Sequence, residues 1–217
     1  MRRIIMRAQL IEGKEAEGIA GLHDGQAVQP LLGNGILMTA AVFKWKRNLF
    51  LYAEAIDDNV NLDMVQLFPD LTDCLEDWAG QDQKRKWIPM IDVFHFNEPA
   101  SAEHWLRKET VERRVGRVAH LKPEMMSSYF YYHYQLQEEQ AFHGPKYEII
   151  AMHENLLFGY QEFPAVIEEP ILPRKLHTSG TPSEWSDSRM DLHFQPWEDG
   201  HLYFKPIDTV FALYCHS

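Results

Sequence analysis

Cysteine is nearly absent: the chain of 217 residues holds two, Cys74 and Cys215, with no CxxC spacing. Two such thiols cannot build a disulfide framework and mark neither a zinc ribbon nor a redox motif. Basic residues are in deficit, 21 Lys and Arg against 32 Asp and Glu, for a formal charge of -11. Nucleic acids and anionic membranes reward clustered cations, so this balance argues against both as partners. The one basic cluster, Arg113, Arg114 and Arg117, is interleaved with Glu109 and Glu112 and reads as a solvated linker face. No run of roughly 18 apolar residues occurs, and no basic-then-apolar leader opens the chain. A cytoplasmic protein is expected from these absences. The chain also lacks GxGxxG, GxxxxGK, G-x-S-x-G and HExxH, and its eleven histidines are scattered. No cofactor and no metal are therefore expected.

What the chain does have is a repeat. ILMTAAVF, KWKRN and LFLYAEA in the first half answer to YEIIAM, HEN and LLFGYQEF in the second, with Arg47 and Glu154 standing 107 residues apart. Apolar runs punctuated by a short Asn-containing turn predict a β-hairpin in each half. Upstream, residues 8 to 23 and 118 to 133 both read as a strand, a helix start and a histidine, His23 and His133. Downstream, Ile91 to Phe96 and Ile207 to Leu213 each close a half with a strand-like run. Before the first of these, Leu71, Cys74, Leu75 and Trp78 recur at helical spacing behind a potential Asp70 cap.

Each half thus reads βαββαβ, the ferredoxin-like unit, of class α+β. A four-stranded sheet with helices on one face leaves the other bare, and two such units in one chain can cover each other. The expected architecture is two ferredoxin-like halves, 1–98 and 116–217, packed sheet to sheet as an intramolecular dimeric α+β barrel. Such a pseudo-dimer predicts a monomer, with further self-association open to it. Residues 99–115 read as a surface linker helix with Ser101 as its cap and Trp105 and Leu106 tucked against the body. Residues 163–182, with four prolines, form a long loop of the kind that serves as a lid or binding segment.

VAHLKPEMMSSYFYYH, residues 118 to 133, resembles the opening strand and helix of the L-rhamnose mutarotases, short chains that dimerise. The likeness lies in an apolar strand, the Lys122-Pro123 helix start and the Tyr-x-x-x-His spacing of Tyr129 and His133. RNLFLYAEA, ENLLFGYQEF, DVFHF and DTVFAL match the family's later elements, and Trp78 and Trp185 have a counterpart in its tryptophan-bearing helix. In the first half the tyrosine position is Ile19, and Gly18, Gly21 and Gly25 weaken the surrounding helix. The Pro-rich segment has no counterpart, so the substrate can differ where the chemistry is kept.

The resemblance implies an isomerase that interconverts the anomers of an L-rhamnose-like deoxyhexose. A histidine titrates near neutrality and can act as both acid and base on a hemiacetal. His133 is then the catalytic acid and base, and Tyr129, one helical turn back on the same face, its hydroxyl-binding partner. Met125, Tyr129, Tyr132 and Leu136 trace the buried stripe that His133 borders. His120, Tyr132 and Trp185 are expected to line the sugar site, with His23 and Trp78 as first-half counterparts; for His23 alone a structural role is preferred. The alternatives are another enzyme of this barrel type, a small oxygenase or a haem-associated protein with a histidine ligand, and a non-catalytic small-molecule binding module.

Overall fold

The computed structural model describes residues 1–80 and 83–215. Strand β1, Arg2–Gln9, is followed by short helices α1 (Glu15–Ala20) and α2 (Gln29–Gly33), then by the hairpin β2 (Leu37–Trp45) and β3 (Asn48–Ala55). Leu37 through Phe43 and Leu49 through Ala55 are all buried. A strand covered on both faces has no polar side to show, so these runs are continuous instead of alternating. Lys46 opens the two-residue loop at φ 53, with Trp45 paired to Asn48 across it. One-turn helices α3 (Met64–Leu67) and α4 (Pro69–Thr72) lead to β4 (Ile88–Pro89) and β5 (Ile91–His95).

After α5 (Ala102–Trp105) the pattern repeats: β6 (Arg113–His120), α6 (Met126–Glu139), and a hairpin of β7 (Ile149–His153) and β8 (Leu156–Phe163). Glu154 takes φ 58 in the second loop, so both hairpins stand where the repeat predicts them. Two 3₁₀ turns, Trp185–Ser188 and Met190–Leu192, precede β9 (Lys205–Pro206) and β10 (Asp208–Tyr214).

The chain is mixed α+β, as expected, with two five-stranded antiparallel sheets ordered β10-β2-β3-β1-β4 and β5-β7-β8-β6-β9. The closing strands depart from expectation. The fourth strand of each ferredoxin-like set is the two-residue β4 or β9, beside β1 or β6. The longer β5 and β10 pair instead with β7 and β2, in the sheet of the opposite half of the sequence. Contacts accordingly divide the described residues into two non-contiguous units. The first holds 1–90, 101–106 and the segment from Ile207; the second holds 91–100 and 107–206.

The helix expected across Asp70 to Trp78 stops at Thr72. Asp63, not Asp70, is a cap: it caps α3, accepting from the backbone N–H groups of Val65 and Gln66. Leu75 and Trp78 leave helical geometry for isolated bridges to Leu10 and Arg85. The first repeat's opening helix is also short, six residues against fourteen in α6. Its glycines have a packing reason: a Cβ on Gly21 would stand 2.9 Å from the Asp70 backbone, and one on Gly18 would stand 2.3 Å from Leu10. Ser101 caps α5 through the His104 N–H as expected, and Trp105 is fully buried while Leu106 is exposed.

The repeat extends into the polar core. Tyr52 donates to Glu54 at 2.5 Å and Tyr160 to Glu162 at 2.6 Å, each pair two apart and on one strand face. In the first unit Glu54 also accepts from Trp105 Nε1 at 2.8 Å; in the second Glu162 takes a bidentate pair from Arg107 at 2.8 and 2.9 Å. Both carboxylates are buried, so these bonds offset desolvation that would otherwise be costly. Among the described residues no helix is long and apolar enough to cross a membrane.

Candidate functional site

Helix α6 builds the site in the second unit. Pro123 starts its first turn, where a missing N–H costs nothing, and Gln140 ends it in the left-handed region at φ 50. Tyr129, His133 and Leu136 are buried on one face, packed with Phe94, Leu121, Ile150 and Phe194. His133 therefore sits inside the buried stripe instead of bordering it, and Tyr132 is left half-buried at the edge.

The Tyr129 and His133 rings stack at 3.9 Å with an interplanar angle of 29°. His133 Nδ1 lies 2.9 Å from the Tyr129 carbonyl oxygen. A carbonyl only accepts, so Nδ1 carries the proton and Nε2 is the basic nitrogen of the neutral ring. Burial lowers the His133 pKa to about 4, against the Tyr129 carbonyl bond, which favours the charged form. Burial likewise drives the Tyr129 hydroxyl far above the usual phenol range, so it stays protonated. Phe94 and Trp185 meet the His133 ring edge-on at 5.2 and 5.3 Å.

This group opens on a cavity of about 500 Å³ lined by Phe94, Phe96, His133, Leu136, Phe142, His143, Gly144, Pro145, Glu148, Ile167 and Trp185. The lining is mainly aromatic and aliphatic. Phe142, His143 and Ile167 are exposed at its rim, where Pro145 bridges to Ile167 of the Pro-rich segment. That segment is tied down by α6, whose terminal Glu139 accepts from the Thr178 hydroxyl, both Thr181 donors and the Gly180 N–H.

Glu148, at the entry to β7, forms an ion pair with Arg117 of β6 through Oε1. Burial raises the Glu148 pKa and Arg117 counteracts this. The charges acting on the Tyr129 hydroxyl belong to these same two residues. Among the described residues, no hydrogen-bond partner is found for Tyr129 Oη, His133 Nε2 or Glu148 Oε2, three polar atoms on largely buried side chains. None of the three is shut off from solvent, so each is open to a water or a ligand.

The site residues expected from sequence divide sharply. Tyr129, His133 and Trp185 come together. Tyr132 is one step removed, 6.3 Å from the His193 ring, and His193 is held by Ser128 and the Arg189 carbonyl. His120 turns to Trp197, with ring centroids 5.6 Å apart, and does not line the cavity. His23 and Trp78 belong to the first unit. His23 is exposed, paired with Asp70 at 2.8 Å, and Trp78 carries Arg7 over its ring at 5.0 Å. Arg117 corrects the linker-face reading of the basic cluster: it lies on strand β6, its guanidinium 5.0 Å from the Phe204 ring centroid. Neither Glu148 nor Arg117 was read as a site residue from sequence, although Gly159 marks the place of Arg117. A Cβ there would stand 2.8 Å from Arg117 Nε, and glycine inside a strand is the usual trace of such close approach.

Comparison with protein-family models and with curated proteins finds no match. Solved structures align along nearly the whole chain. One, described as a putative monooxygenase from Fusobacterium nucleatum subsp. nucleatum ATCC 25586, is 10% identical, with 98% of this chain and 93% of that one covered and a TM-score of 0.41. Another of the same description, from Lactobacillus acidophilus NCFM, is 8% identical, with 99% and 97% covered and a TM-score of 0.43. An anthrone oxidase-like protein is 8% identical, with 99% and 94% covered and a TM-score of 0.38. Likeness at this level carries no activity across, and the chemistry has to be read from the cavity.

Proposed function

We propose that the second unit is the catalytic unit of a small-molecule enzyme in which His133 Nε2 removes a proton from a flat, mostly apolar substrate. The observation that carries this reading is a neutral, buried imidazole whose basic nitrogen has no partner among the described residues, set in an aromatic cavity. With a pKa of about 4 the ring is unprotonated throughout the neutral range. An anion formed beside it would raise that pKa and help retain the proton.

The sugar mutarotase suggested by Tyr-x-x-x-His fits this cavity less well. A monosaccharide presents several hydroxyls, and each buried without a partner costs roughly 1–3 kcal/mol. The lining offers His133, His143 and Glu148 as its titratable groups, amid rings and aliphatic chains. A mutarotase also needs the histidine as an acid, and with a pKa of about 4 only roughly one ring in a thousand is protonated at pH 7.

The small-oxygenase alternative asks only for the base. Removing a proton from an activated CH₂ leaves the electron pair on the substrate as a delocalised anion. That anion can reduce O₂ directly, CH₂ and O₂ giving C=O and H₂O. The test uses anthrone, a flat tricycle with one acidic CH₂. Hydrogen–deuterium exchange at that carbon, followed by NMR without oxygen, should be accelerated, with oxygen uptake in air. Both should fall by about 10² or more in His133→Gln. Unchanged exchange in that variant would sink the reading.

A further inference from the structure

Glu148 completes the cavity in a way that specifies the ligand further, on the strength of the binding role just proposed. Its Oε1 is occupied by Arg117 Nη2, and among the described residues Oε2 has no donor. The side chain is 12% exposed and lines the cavity. In its ion pair with Arg117 the carboxylate has no proton to give, so whatever meets Oε2 must donate. Arg117 does not line the cavity, and its Nε lies over Gly159, within 2.8 Å of where a Cβ would be. Its Nη2 is given to Glu148, its Nε is shut off from solvent without a partner among the described residues, and the lining of the cavity holds neither lysine nor arginine. His143, the other titratable group besides His133 in the lining, is at the exposed rim, 3.9 Å from Glu169.

We infer that Glu148 Oε2 is the anchor for a hydroxyl on the substrate, so that the cavity takes neutral hydroxylated aromatics and rejects the matching aromatic carboxylates. Arg117 is a positioning residue: it holds Oε1, leaves Oε2 to the ligand, and balances a charge that would be costly alone in a cavity also lined by Phe96 and Leu136. An aromatic carboxylate would bring a second negative charge against Glu148.

The experiment compares naphthalene, 2-naphthol and 2-naphthoate, with binding read from tryptophan fluorescence and calorimetry on the whole chain. The expected order is 2-naphthol tightest, about tenfold over naphthalene, with 2-naphthoate weakest. In Glu148→Leu the naphthol advantage should vanish while naphthalene affinity moves less than about twofold. His133→Gln should keep the advantage, because the hydroxyl rests on Glu148 and not on the base. Should Glu148→Leu fail to fold, the order of the three ligands on the unaltered chain and the His133→Gln arm decide. Equal binding of naphthol and naphthoate, or loss of the naphthol advantage in His133→Gln, would overturn the anchor. If none of the three binds, the aromatic-cavity reading itself falls, and the anchor with it.

Discussion

At the scale of single residues, the decisive fact is which atoms have partners. His133, on α6, differs from His193, which ends the second 3₁₀ turn, in how its Nε2 is partnered. Both donate Nδ1–H to the carbonyl four residues back, but His193 Nε2 is taken by the Ser128 hydroxyl at 2.8 Å. That difference makes one histidine structural and leaves the other available. Burying His133 neutral also has a thermodynamic consequence. Its pKa is near 6.5 in the unfolded chain and about 4 in the folded one, so the unfolded chain binds the proton more strongly. Stability from this group is present above pH 6.5 and is lost as pH falls from 6.5 to 4, by roughly 3 kcal/mol at most. Thermal unfolding of the native chain and of His133→Gln, measured from pH 7 to pH 4, should show the native chain losing more of its Tm across that window. Parallel curves would mean that the ring is not buried neutral.

Among elements, α6 is the organiser. One face supplies the stacked Tyr129 and His133, and its last residue fastens the Pro-rich segment. The Glu139 carboxylate is buried, which opposes ionisation, but the hydroxyls of Thr178 and Thr181 and the N–H groups of Gly180 and Thr181 hold its pKa down at about 2. This clasp is intact above about pH 4.5, the ordinary carboxylate value, and weakens as pH falls from there toward 2. Glu139→Gln turns one acceptor oxygen into an NH₂ facing donors. We expect a loss of about 1–3 kcal/mol and faster amide hydrogen exchange at Gly180 and Thr181, with β7 and β8 unchanged. Exchange rates at Gly180 and Thr181 that did not change would show that other contacts hold the segment.

For the whole molecule, the exchange of β5 and β10 governs how the chain can be divided. A fragment ending near residue 98 contains β1 to β4 but lacks β10, the neighbour of β2, and carries β5 without β7 to pair with. Its β2 would expose a long apolar edge, Leu37 to Phe43, which favours aggregation. Residues 1–98 and 99–217 expressed separately should therefore be insoluble or unfolded by circular dichroism. Expressed together, they should be recovered as a soluble pair. A soluble, cooperatively folded 1–98 fragment would show that strand exchange adds nothing to the first unit.

The amino-acid sequence by itself determined the elements whose causes are local. Both hairpins follow from continuous apolar runs and short turns, α6 from Pro123 and the spacing of Tyr129, His133 and Leu136, and α5 from its Ser101 cap. The shared helix face of Tyr129 and His133 was legible in their spacing of four, while their candidacy for the site, and that of Trp185, rested on the resemblance to the L-rhamnose mutarotases. Tertiary structure alone decided the rest. A strand's hydrogen bonds do not reveal which sheet will receive them, so β5 and β10 read as closing strands of their own halves. Glycines at 18 and 21 looked like helix weakness until the chain packed against them. Glu148, just before β7, and Arg117, on β6, stand 31 residues apart, and only the pairing of β6 and β7 with β8 between them brings their charges together. The low pKa of His133 likewise comes from the surrounding apolar walls, and no spacing in the chain encodes it.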